Sequence, residues 1–92
     1  MAAAPLHRQF AGQARLVRLL LWRVGDSTDV DACLRTARSK NMIAQDDEVF
    51  LRECLEAEEL QREGETVDFA VDADTIARLR RCADKLNRAD SA

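Results

Sequence analysis

Residue types that carry chemistry are few in this sequence. It has three cysteines, Cys33, Cys54 and Cys82, and a single histidine, His7. Zinc sites are commonly built from closely spaced Cys or His pairs, and no Cys-x-x-Cys occurs here. A nucleophile needs a base beside it, and the only imidazole lies in the first turn of a terminal segment. We therefore predict no metal site, no cofactor and no catalytic residue.

The cysteine count also bears on the compartment. Three cysteines without close pairs are not a disulfide framework, which a secreted domain of 92 residues would ordinarily need. The sequence therefore predicts a cytoplasmic protein with free thiols that pack as small apolar side chains.

Phosphate loops and acid–base pairs are also poorly supported. The glycines, Gly12, Gly25 and Gly64, are scattered and form no glycine-rich phosphate loop. Carboxylates that could act as acid–base pairs are plentiful, but they lie on a predicted helix that faces solvent and not in a pocket. We expect a protein that is not an enzyme.

Charge is unevenly distributed along the chain, whose net charge is −3. Residues 1–25 carry four arginines and no acid, whereas residues 46–74 carry twelve acids and two arginines. Residues 75–92 are again basic. One interpretation is that the basic outer segments neutralise the acidic one within a single bundle. Exposed pairs of this kind add little stability but help to exclude other arrangements.

The alternative interpretation is an acidic face that binds a basic partner. Like charges one or two turns apart are mildly unfavourable in a helix, and a basic partner relieves that cost. Such a protein would be an acidic inhibitor, an antitoxin or a phage-encoded inhibitor, that blocks a nucleic-acid-binding surface. The residues of this predicted acidic face are Glu53, Glu56, Glu58, Glu59 and Glu63.

Direct DNA binding is not expected. Arg8, Arg15, Arg18 and Arg23 are suited to phosphate contacts. However, the segment that would occupy the recognition-helix position of a helix-turn-helix is strongly acidic, and phosphates would repel it.

Apolar spacing of three and four residues predicts four helices, over 6–24, 29–40, 47–63 and 74–88. The fold class is therefore all-α, a compact antiparallel four-helix bundle in one domain over 1–92, with frayed ends at 1–5 and 89–92. Period-two alternation near 66–71 favours a short extended connector.

Several residues have the types expected at helix ends. Thr28 is predicted to cap the second helix, Asp46 or Asp47 the third, and Asp72 or Asp74 the fourth, while Gly64 stops the third.

The first helix has more large apolar residues than one core stripe requires. The main stripe runs Leu6, Phe10, Ala14, Val17, Leu21 and Val24, and further apolar residues, Leu16, Leu19, Leu20 and Trp22, lie on other sides. Such a helix is either central in its fold or in contact with a second surface. Because Trp and Arg dominate binding hot spots, the predicted interface is Arg18, Leu19, Trp22 and Arg23.

The leading hypothesis is accordingly a protein–protein interaction module: an adaptor, a regulator or a small subunit of a larger assembly. Its partner would be another protein or a second copy of the chain.

The first 25 residues allow two further interpretations. Arginines without acids are typical of a mitochondrial transit peptide, although serine is scarce and the fold needs these apolar residues. The longest uninterrupted apolar run in this segment, residues 19–22, is far shorter than the roughly 20 residues of a membrane span. We interpret the segment as a structural helix and expect no membrane association.

Overall fold

The chain folds into an all-α four-helix bundle, as predicted. A computed structural model describes residues 6–64 and 71–91, with side chains up to residue 88. The helices are α1 (Leu6–Gly25), α2 (Val30–Ser39), α3 (Gln45–Arg62) and α4 (Ala73–Ser91). No strand occurs in those ranges. The connector predicted near 66–71 lies outside them, except for Val71, which packs partly against the core.

Helix α1 occupies the centre of the fold. It contacts each of the other three helices and packs most extensively against α4. Phe10, Ala14, Val17 and Leu21, the middle of the predicted stripe, are completely buried, and Leu20 is buried beside them. The central position explains the apolar Leu20 beside the main stripe, but it does not account for Leu16 and Leu19, which are exposed.

The remaining helices each contribute one apolar face to the same core. Cys33, Cys54 and Cys82 are all buried and free, which confirms that they pack as small apolar side chains. The other core residues are Leu34, Ala37, Ile43, Leu51, Leu55, Ala57, Ile76, Leu79, Ala83 and Leu86.

The cap of α2 differs from the prediction. Asp29, and not Thr28, is the N-cap, since its Oδ1 accepts the Asp31 N–H at 3.1 Å and the Ala32 N–H at 3.4 Å. Both residue types can cap, and the prediction for Thr28 was wrong because an aspartate one residue later has the extended backbone the position requires.

Helix α3, in contrast to α2, begins earlier than predicted. Its N-cap is Ala44, which has no side-chain oxygen, so neither Asp46 nor Asp47 caps this helix. Instead the Asp47 carboxylate accepts the Ala44 N–H at 3.1 Å, from inside the first turn. This is the reciprocal half of a capping box.

The two remaining predicted end residues, Asp72 and Gly64, are confirmed, although α4 continues to Ser91, beyond its predicted end at 88 and into the segment predicted to be frayed. Asp72, one of the two caps proposed for α4, accepts the Thr75 N–H and the Thr75 Oγ1–H, both at 2.8 Å. Gly64 has a φ of +85° just beyond the end of α3, a conformation that glycine adopts without strain.

Candidate interaction surfaces

A buried ion-pair cluster joins α1 to α3. The Glu58 side chain is 2% exposed and accepts hydrogen bonds from Arg15 Nε at 3.2 Å, Arg18 Nη1 at 3.0 Å and Arg62 Nη2 at 2.9 Å. Arg18 Nη2 also donates to the Leu55 carbonyl at 3.1 Å. The acceptors of these four hydrogen bonds, the Glu58 carboxylate and the Leu55 carbonyl, lie within one turn of α3.

This cluster corrects two site predictions. Glu58 does not lie on an exposed acidic face, and Arg18, which is 8% exposed, does not lie on an exposed interface. The two residues neutralise each other inside the bundle, which is how a buried charge avoids its large desolvation cost.

Sequence spacing did contain a signal for this pair. Glu58 follows Leu51, Cys54 and Leu55 by seven, four and three residues, so it continues the buried face of α3. Arg18 likewise follows Ala14 by four residues on the buried side of α1. A charged residue interrupting an apolar stripe on each of two helices indicates an internal pair.

The charge state of Glu58 follows from these contacts. Burial alone would raise the pKa of the carboxyl, but the hydrogen bonds from Arg18, Arg62 and Arg15 outweigh it and hold the pKa below its ordinary value. Glu58 is therefore ionised at neutral pH.

A second carboxylate joins α3 to α4. Asp47 accepts Lys85 Nζ at 2.9 Å and lies 3.7 Å from Arg78 Nη2, and the Cys82 thiol donates to it at 3.7 Å. Burial raises the pKa of Asp47, but the hydrogen bonds from Lys85 and the Ala44 N–H lower it further than burial raises it. The acidic α3 is thus ion-paired to both basic helices.

The predicted interface on α1 is divided between core and surface. Leu19 is 53% exposed and Arg23 is exposed, while Trp22 is half-buried against the core. The indole Nε1 of Trp22 is buried and has no hydrogen-bond partner among the described residues. Leu16, which the predicted interface omitted, is 44% exposed three residues before Leu19. We call Gly12, Leu16, Leu19 and Arg23 the α1 face, because steps of three and four place them on one side of the helix.

The outer side of α3 retains most of the predicted acidic face. Its four remaining members are exposed, and none forms an ion pair with another residue that the structure describes. Val49, 47% exposed, lies on the same side of the helix. These four, Glu53, Glu56, Glu59 and Glu63, are called the α3 acidic face below.

The thiols offer little reactivity. Burial raises the pKa of Cys54 to about 12 and that of Cys82 to about 11, so both thiols are protonated at neutral pH. Within residues 6–64 and 71–88, no group of three or more His, Cys, Asp or Glu side chains is arranged to hold a metal ion.

Comparisons with known proteins leave the function to be argued from these surfaces. None of the four helices, as far as they are described, is long and apolar enough to cross a bilayer. No protein-family model, curated protein or solved structure matches the chain.

Proposed function

We propose that the protein is a binding module, an adaptor, regulator or small subunit, that docks on a protein partner through the α1 face. The observation that carries this proposal is the pair Leu16 and Leu19, about half exposed on the helix at the centre of the core. Trp22 borders them and adds apolar area at the edge.

The α1 face is rigid before any partner arrives. Its helix is held by complete burial of Phe10, Val17 and Leu21 on the opposite side. A preorganised face loses little conformational entropy on binding, so more of the contact free energy appears as affinity. Burying the exposed part of each leucine would add on the order of 1 kcal/mol.

The charges around the leucines favour a partner with acidic residues over a symmetric dimer formed by two α1 faces. Arg8 and Arg23 are exposed toward the two ends of α1, and the described part of this helix has no acid. Two α1 faces packed antiparallel would bring Arg8 of one copy toward Arg23 of the other. That repulsion disfavours a symmetric dimer.

The test compares the double variant Leu16→Gln/Leu19→Gln with Val49→Gln as a matched control. Val49 is equally exposed but lies on α3. A partner isolated from the native host with the wild-type chain should bind the control normally and the double variant at least roughly tenfold more weakly. Light scattering on the same proteins measures self-association. Normal partner binding by a folded double variant contradicts the proposal.

A second candidate function rests on the α3 acidic face. Four exposed carboxylates without an ion pair among the described side chains carry a repulsion that a basic partner would relieve. In this alternative the protein is an acidic inhibitor that covers a nucleic-acid-binding surface of its partner.

The two candidates predict opposite results. For the acidic inhibitor, Glu56→Lys/Glu59→Lys should abolish binding, and added salt should weaken it steeply, because the contacts are between charges. For docking through the α1 face, the same variant should bind nearly normally, and the salt dependence should be weaker than for the acidic inhibitor, because the two leucines contribute apolar contacts that salt does not screen.

A further inference from the structure

An open, basic groove lies between the N-terminal half of α1 and the C-terminal end of α3. Its volume is about 190 Å³. Pockets for drug-sized ligands usually measure roughly 300–1,000 Å³, so this groove suits a small group. The side chains that define its chemistry are His7, Arg8, Arg15, Glu58, Gln61 and Arg62.

Positive charge exceeds negative charge in this groove. Arg8, Arg15 and Arg62 line it together with a single carboxylate, Glu58. That carboxylate is also neutralised from the interior by Arg18. A cluster with several guanidinium groups and one carboxylate has a net positive charge that an anion can offset.

Two of these arginines retain unused donors. Arg15 donates only through Nε, and Arg62 only through Nη2, in the hydrogen bonds they form with described residues. A guanidinium has five N–H groups in a planar fork. Their side chains are 63% and 51% exposed, so the remaining N–H groups are accessible.

The buried Glu58 fixes both guanidinium groups before a ligand binds. Its two oxygens accept the bonds at 3.2 Å and 2.9 Å, which restricts side chains that would otherwise be among the most flexible on a surface. Binding an anion between them therefore costs less side-chain entropy than on unrestrained arginines. The first turn of α1 and the last turn of α3 both reach the groove, and their opposed dipoles roughly cancel.

We propose that this groove binds a phosphate group, free or as a monoester, independently of the α1 face. Arg15 and Arg62 donate to the phosphate oxygens, Arg8 adds a third positive charge, and Glu58 is a positioning residue. A phosphate carries about −1.5 to −2 charges at neutral pH and accepts bidentate bonds from guanidinium groups. A phosphate therefore matches the excess positive charge of the groove better than a singly charged carboxylate does.

The experiment titrates inorganic phosphate and, separately, O-phosphoserine into the full chain at constant ionic strength. Nitrogen-15 NMR follows the backbone amides and the arginine Nε–Hε groups. We expect saturable shifts at Arg15 and Arg62 in at least one titration. Tighter binding of phosphoserine would assign the site to monoesters, and tighter binding of inorganic phosphate would assign it to the free ion.

Variants separate a site from general attraction between charges. Arg62→Gln should weaken phosphate binding at least about tenfold, because one charged donor is lost. Arg8→Gln, which removes no ion pair among described residues, should weaken it less. Arg52 lies on α3, as Arg62 does, but outside the groove. Arg52→Gln therefore removes an equal charge and should leave phosphate binding unchanged. The proposal is overturned if neither probe saturates at millimolar concentration, or if Arg52→Gln weakens binding as much as folded Arg62→Gln.

Discussion

Arg18 and Glu58 show what a buried ion pair contributes to this fold. Removing the two charges from water costs several kcal/mol, and their attraction together with the extra bonds from Arg15, Arg62 and the Leu55 carbonyl offsets that cost. The net stabilisation is therefore small. The pair instead favours one alignment of α1 and α3, since a slip of one turn would take the buried Arg18 away from its carboxylate, while Arg62 on α3 stays bonded to Glu58.

At the same scale, the cysteines should be inert in the native protein. Their pKa values are raised, chiefly by burial, and a protonated thiol is a poor nucleophile. We expect negligible reaction with iodoacetamide at pH 8 until denaturant is added, when all three thiols should react. Mass spectrometry of the alkylated chain counts them. Rapid alkylation of any one thiol without denaturant would contradict the burial described here.

Individual residues were predictable to different degrees. The buried stripe of α1 and the three buried cysteines followed from spacing and residue type. The positions of Arg18 and Glu58 were not predicted, because residue type alone assigns charged residues to the surface. Their spacing places each on the buried side of its helix, but it does not identify the partner, which lies forty residues away.

At the scale of elements, the helix bounds agree with prediction to within two residues, apart from the end of α4, and the N-caps account for the different starts of α2 and α3. Thr28 and Asp29 are both suitable caps, and only the backbone conformation selects Asp29. For α3, Asp47 accepts the Ala44 N–H from inside the helix, and the N-cap Ala44 has no capping side chain of its own. The spacing of apolar residues identifies a helix, but the residue at which the helix begins or ends depends on the hydrogen bonds of a single turn.

Gly25 and Gly12 provide a matched pair of variants in α1. A Cβ on Gly25 would lie 2.5 Å from Cys33 Sγ and 2.9 Å from its Cα, whereas a Cβ on Gly12 meets nothing within 4 Å. Gly25→Ala should therefore destabilise the fold by roughly 1–3 kcal/mol through overpacking of α1 against α2. Gly12→Ala should stabilise it by about 0.5–1 kcal/mol, because alanine is the better helix former.

Urea denaturation followed by circular dichroism measures both changes in the free energy of unfolding. Equal effects of the two substitutions would contradict the close approach of α1 and α2 at Gly25.

Among the residues that the structure describes, the uneven charge of the sequence gives ion pairs between helices and an unpaired acidic surface on α3. Asp47 connects α3 to α4 and Glu58 connects α3 to α1, so part of the acidic segment is neutralised inside the bundle. The glutamates of the α3 acidic face form no ion pair with any residue that the structure describes. Composition alone did not separate these groups, because it gives no information on which side of a helix each carboxylate lies.

The two buried carboxylates set the expected response of the molecule to acid. Their pKa values are lower in the folded chain than in the unfolded one, so the native state binds fewer protons. The stabilisation they provide is present above the unfolded pKa of about 4 and is lost as pH falls through the folded pKa values. The free energy of unfolding should therefore change little between pH 7 and about 5 on account of these groups and decline below about pH 4.

Glu58→Gln should separate this effect from general acid sensitivity. The variant leaves Arg18 buried without a counter-ion, so the free energy of unfolding at pH 7 should fall by roughly 3 kcal/mol. Below pH 4, the free energy of unfolding of the variant should decline less steeply than that of the wild type, because the variant lacks one carboxyl group with a lowered pKa. Glu56→Gln, an exposed site on the same helix, should leave both quantities nearly unchanged. Urea denaturation at pH 7 and at pH 3.5 measures all three proteins, and an acid response of Glu58→Gln as steep as that of the wild type would show that Glu58 is not a main determinant of acid stability.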